Sequence, residues 1–133
     1  MEKYKYMIPE DLVKYQGNVC RVTSTSWCNE YQDYLELDDN YDKLKLVEVE
    51  FIPITGFLLV DNGWLPNIMF VDKFNRKWTV FERKNYPDLR FCEDGYCYVA
   101  AFGNVELVSD IRYIHELQHL LYGLQLDNNL KIK

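Results

Sequence analysis

The sequence predicts an α+β fold that is mostly β: an N-terminal SH3-like small barrel, then a short helix, an antiparallel β-meander and a C-terminal amphipathic helix. Three observations carry that expectation. Short alternating apolar and polar runs, separated by turn residues, fill the first fifty positions; Pro53-Ile54-Thr55 interrupts them; and apolar residues recur at helical spacing only near the end. With 133 residues, 48% hydrophobic and 27% charged, the composition suits one ordinary domain or two small modules, divided here into 1–52 and 53–133. A chain of this size buries roughly two-thirds of its extended surface, enough to fold without disulfides or metals.

Leu12-Val13-Lys14-Tyr15 and Val19 to Ser24 flank Gln16-Gly17-Asn18 as a half-buried hairpin. Tyr34-Leu35-Glu36-Leu37 forms a third strand, Asp38-Asp39-Asn40 turns, and Leu44 to Val49 supplies a fourth. Strands this short and this closely spaced predict a strongly bent barrel. At the seam Thr55 is the N-cap of a helix over Phe57 to Asp61, and Asn62-Gly63 stops it. Ile68 to Lys73 and Lys77 to Glu82 flank Phe74-Asn75-Arg76 as a second hairpin, followed by a strand pair at Leu89 to Cys92 and Tyr96 to Ala101. Asp110 is expected to cap the terminal helix, whose Ile111, Ile114, Leu117, Leu121 and Leu124 share one face that packs on the meander. Leu130-Lys131-Ile132 ends the chain as a candidate last strand.

Charge is unevenly spread. Residues 29–50 hold eight acids against Lys43 and Lys45, so this segment carries the whole formal charge of −6. Its Glu36, Asp38, Asp39 and Asp42 form a candidate acidic contact surface that can imitate nucleic acid toward a basic partner. By contrast, Lys73, Arg76, Lys77, Arg83, Lys84 and Arg90 face only Glu82 and Asp88 in the stretch 73–90. Rings interleave with these cations, and Lys77, Trp78, Arg83, Lys84 and Tyr86 are the candidate binding residues, since stacking plus charge pairing suits a protein contact, a nucleotide or a single strand.

Catalytic signatures are sparse. His115-Glu116-Leu117-Gln118-His119 matches H-E-x-x-H, which on a helix presents two imidazoles to zinc with the glutamate as general base. A third ligand is missing downstream, where Tyr122 and Gln125 stand at the positions of the glycine and third histidine of the extended motif. His115 and His119 are therefore metal ligands only if that zinc-peptidase alternative holds, and no cofactor is otherwise implied. No phosphate-cradling glycine loop and no G-x-S-x-G elbow occur. Cys92 and Cys97 would oppose one another across an Asp94-Gly95 turn, close enough for a disulfide but expected as two thiols in a reducing compartment. The N-terminus lacks the apolar run of a signal peptide and no stretch is long enough to span a membrane, so a cytoplasmic protein is expected.

The run Tyr113-Ile114-His115-Glu116-Leu117-Gln118-His119-Leu120-Leu121-Tyr122 resembles the C-terminal helix signature of small proteins recurrent in Bacteroides-type bacteria and their phages. Pro53-Ile54-Thr55 and Asn62-Gly63-Trp64 stand in the same order as that family's seam and helix stop, so the resemblance covers nearly the whole chain. In the family pattern the positions of Glu116 and His119 are commonly Gln and Asn, a departure that counts against zinc chemistry. The resemblance implies no activity and transfers no functional residue. Its context implies a non-enzymatic binding protein of phage or mobile-element type, an accessory or host-modulating, anti-defence factor that contacts a host or phage protein. The alternative is a nucleotide or single-stranded nucleic-acid binder through the basic aromatic hairpin.

Overall fold

The computed structural model describes residues 7–28, 31–38, 40–45, 49–92, 97–102 and 105–132. These residues form an α+β protein dominated by strands, with two antiparallel sheets and two helices. Among the described residues no helix is long and apolar enough to cross a membrane. The chain makes two compact units, one of residues up to Ile52 together with Tyr113–Asn129, the other of Pro53–Arg112 together with the chain from Leu130. The terminal helix thus groups with the N-terminal strands, whereas the sequence suggested that it covers the meander.

In the first unit β1 (Leu12–Tyr15), β2 (Asn18–Cys28), β3 (Tyr31–Leu37) and β4 (Asn40–Lys45) lie in the order β1-β2-β3-β4. Tyr15 pairs with Asn18, so the loop between them is two residues long. Its Gln16 and Gly17 both take positive φ, 51° and 80°, the geometry whose twist matches paired strands. β2 pairs with β1 through Asn18–Arg21 and with β3 from Val22 onward, with register breaks at Val22/Ser24 and Ser26/Trp27 that bend it. Beyond β4 the chain returns to β1, where Lys14 and Glu50 exchange both backbone hydrogen bonds, at 2.9 and 2.8 Å. The sheets nonetheless have a linear strand order and are not closed among the described residues. Met7, Val13, Cys20, Val22, Leu35, Leu37 and Val49 form the core.

Helix α2 (Ile114–Gly123) completes this unit. Ile114, Leu117 and Leu121 are fully buried, each contributing about 1.5–3 kcal/mol through burial. Its N-cap is Tyr113, whose N–H donates to Glu116 Oε1 at 3.1 Å. Asp110, expected as the cap, instead lies in a strand.

In the second unit α1 (Gly56–Asp61) starts as expected, with Thr55 Oγ1 accepting from the Leu58 N–H at 3.2 Å. β5 (Leu65–Val71), β6 (Lys77–Glu82), β7 (Asp88–Cys92), β8 (Cys97–Phe102) and β9 (Val105–Ile111) follow as an antiparallel meander in sequence order. β9 is the strand that holds Asp110, paired with Tyr98. Leu130–Ile132 adds no strand; Asn62 anchors it, accepting from the Lys131 N–H at 2.7 Å and donating to its carbonyl at 2.9 Å. Phe91, not Cys92, is the register partner of Cys97, and Cys92 is buried without a disulfide. The turn 93–96 lies outside the described residues.

Candidate functional site

A cleft of about 650 Å³ opens in the second unit between the start of β5 and the β6–β7 turn. Leu65, Pro66 and Asn67 form one wall; Glu82, Arg83, Lys84, Asn85, Tyr86 and Asp88 form the other. The turn itself is tight, since the Tyr86 N–H donates to the Arg83 carbonyl at 3.0 Å and Asn85 takes φ 66°, which asparagine tolerates better than most residues.

The helix stop read from the sequence does not line the cleft but lies behind one of its lining residues, Arg83. Gly63 has φ 92°, and a Cβ there would meet Arg83 Nε at 3.2 Å. Glycine both permits that backbone and lets the Arg83 stem lie close. Trp64 is fully buried, its indole N–H donating to the Pro87 carbonyl at 3.0 Å. The Arg83 guanidinium sits 3.7 Å from the Tyr86 ring centroid and 5.1 Å from that of Trp64, and the two rings meet edge to face at 5.5 Å. Such a cation–π stack holds an otherwise flexible arginine in one orientation.

Charge in the cleft is mixed. Asn67 Nδ2 donates to Glu82 Oε2 at 2.9 Å. Burial pushes the Asp88 carboxyl up from its ordinary value, the Glu82 carboxylate adds to that, and Arg90 opposes it. Arg83 and Lys84 therefore face two acids rather than a clear anion site.

Of the five binding residues expected from sequence, Arg83, Lys84 and Tyr86 converge here. Lys77 and Trp78 do not, because they occupy the far end of β6, about 20 Å along the strand from Arg83. Trp78 is only 6% exposed; it stacks on Phe70 at 6.4 Å and donates its indole N–H to Asp72 Oδ2 at 2.9 Å. It is a core ring and presents no face to a base. The contributions of Leu65 to Asn67 were not legible, since they approach the turn only once β5 pairs with β6.

The acidic surface is partly committed to structure. Asp38 Oδ1 accepts from the Arg21 N–H at 3.1 Å, whereas Glu36 is held through its backbone carbonyl, which accepts from Thr23 Oγ1 at 3.1 Å. Asp42 belongs to β4, its side chain outside the described residues, as is Asp39 altogether.

The H-E-x-x-H residues diverge in use. His115 is fully buried, 4.8 Å from Phe51 between ring centroids and stacked on Tyr113 at 5.9 Å. Burial lowers its pKa to about 4; Asp11 partly opposes this and His119 adds to it. Glu116 serves the helix cap. His119 Nε2 lies 2.6 Å from Oδ2 of Asp11, a carboxylate that also accepts from the Ile8 N–H at 2.8 Å. Among the described residues no group of three or more His, Cys, Asp or Glu side chains is placed to hold a metal ion.

Comparisons with protein-family models, with curated proteins and with solved structures find no match.

Proposed function

We propose that this protein acts by binding, as an accessory or host-modulating factor of phage or mobile-element type, and that the cleft of the second unit receives a segment of a cytoplasmic protein partner. The observation that carries this reading is the convergence of Arg83, Lys84 and Tyr86 on one concave surface. Arginine and tyrosine are the residue types that anchor protein interfaces, and a held arginine loses little freedom on binding. The neighbouring Glu82 and Asp88 favour a polypeptide, with its own mixture of charges, over a phosphate-bearing ligand. The acidic residues of the β3–β4 hairpin supply a second contact, which weakens with salt. We further infer that the first unit is an SH3-like barrel; the bent β2 and the Lys14–Glu50 bridge support that closure.

A nucleotide in the same cleft is the second reading, favoured by the Arg83–Tyr86 stack. One experiment separates them. The protein is immobilised and partner capture from a host lysate is compared with that of Arg83→Glu and Tyr86→Ala, while Trp emission of the free protein is titrated with nucleotides. A protein that the wild type retains and both variants lose at least about tenfold, the scale of a 1.4 kcal/mol anchor, is the expected result. Equal retention by the variants removes the cleft from the interface, and saturable Trp quenching by nucleotides transfers it to the second reading.

A further inference from the structure

β5 is an edge strand whose seven residues are all exposed. Leu65 is 62% exposed, Ile68 53%, Met69 77% and Val71 57%. An apolar edge of this kind is a template for another strand, and edges left alone are normally blunted with charge. Within Leu65–Val71 there is no charged residue, although Pro66 and a register break at Pro66/Ile68 disturb the start of the strand.

Strand alternation determines which backbone groups point outward. The Asp72 N–H donates to the Arg76 carbonyl at 3.0 Å, so Asp72 faces β6. By the two-residue alternation of an antiparallel ladder, Phe70 and Ile68 also face β6, and the amide and carbonyl groups of Met69 and Val71 face away. The regular part of the edge therefore has Phe70 at its centre with one outward residue on each side.

We infer that this edge pairs with the β5 edge of a second copy of the chain, antiparallel about a two-fold axis at Phe70. Met69 of each copy then opposes Val71 of the other, which satisfies four main-chain groups on each copy. Phe70 opposes its own counterpart, held in place by its stack on Trp78 at 6.4 Å. A strand without charges meets itself without like-charge opposition, as a self-complementary contact requires. The same register sets the turn that follows β5 in each copy, which carries Lys73, beside Asn67 of the other. The Asn67 amide donates to the Glu82 carboxylate at 2.9 Å, so a basic turn meets an acid at each end of the contact. The pairing unites two five-stranded sheets into one of ten and removes the exposed edge from both copies. It goes beyond the proposed cleft function and centres on Met69–Val71, although the start of the same strand, Leu65–Asn67, lines the cleft.

The test is the mass of the full chain by sedimentation equilibrium across concentration, for wild type and two double variants at Met69 and Val71, the residues whose main-chain groups face outward. The wild type is expected to dimerise. Met69→Lys with Val71→Lys sets like charges opposite one another and raises the dimer Kd at least tenfold; Met69→Lys with Val71→Glu sets opposite charges there and keeps the dimer. A wild type that is monomeric throughout overturns the inference. So do variants that dimerise equally well, because the contact is then elsewhere, or a Lys/Glu variant as monomeric as Lys/Lys, because the register about Phe70 is then wrong. Circular dichroism of each variant confirms that the masses compared are of folded protein.

Discussion

Gln118 does more for the first unit than the histidines on either side of it. It is fully buried, accepts from the Leu12 N–H at 2.9 Å and donates to the Glu10 carbonyl at 2.9 Å. One side chain thus satisfies two backbone groups that flank the edge of β1. Gln118→Leu keeps the volume but strands both, and is expected to cost about 2–4 kcal/mol in urea unfolding; a loss below the error of the measurement would show that water replaces the amide. His115 supplies a pH dependence of determinate sign. Its folded pKa of about 4 lies below the ordinary 6.5, so between those values the unfolded chain binds the extra proton. Its contribution is complete above pH 6.5 and is lost as pH falls through 6.5 toward 4, by at most about 3 kcal/mol. His115→Phe, beside Phe51 and Tyr113, is expected to flatten the dependence of unfolding free energy on pH between 7 and 5, and an unchanged slope would assign that dependence to other groups. The motif was legible in the sequence; its use was not, because Asp11, the partner of His119, lies 108 positions away.

At the scale of the element, the β5–β6 turn is organised by one carboxylate. Asp72 accepts from the N–H groups of Phe74 and Arg76 at 2.8 and 3.0 Å, from Arg76 Nε at 2.8 Å and from the Trp78 indole at 2.9 Å. Burial pushes its pKa up, but the donors of Trp78, Arg76 and Phe74 outweigh that and hold it well below the usual carboxylate range. Asp72→Ala is expected to speed hydrogen exchange at the Phe74 and Arg76 amides and to shift Trp78 emission while the β6–β7 pairing stays protected; unchanged exchange at Phe74 would mean that the backbone holds the turn by itself. This hairpin was foreseen because its turn chemistry is local, with Asn75 at φ 62°. The role of Trp78 was not, since alternation assigns a residue to a face without saying which face is covered. β9 was missed for a related reason. Asp110 stands where an N-cap is expected before a helical run, yet the ladder with β8 continues to Ile111 and outweighs the local preference of one aspartate.

For the molecule as a whole, local periodicity was enough to establish the α+β class, the first two hairpins, the start and stop of α1 and the existence of α2. Those features depend on residues a few positions apart, where spacing and turn chemistry act directly. The destination of α2 did not follow, because an amphipathic face specifies that it must be covered but not by what. It groups with the N-terminal strands, where Gln118 finds its two backbone partners around β1. Likewise the basic stretch 73–90 looked continuous in sequence, and pairing divided it, sending Arg83, Lys84 and Tyr86 to the cleft and Trp78 to the core. The sequence by itself determined the α+β class, most of the strands, both helices and where charge is concentrated, but not β9. Only the tertiary structure decided which side chains share a site and which apolar strand is left at an edge, because these depend on strand order and register across the chain rather than on neighbours within it.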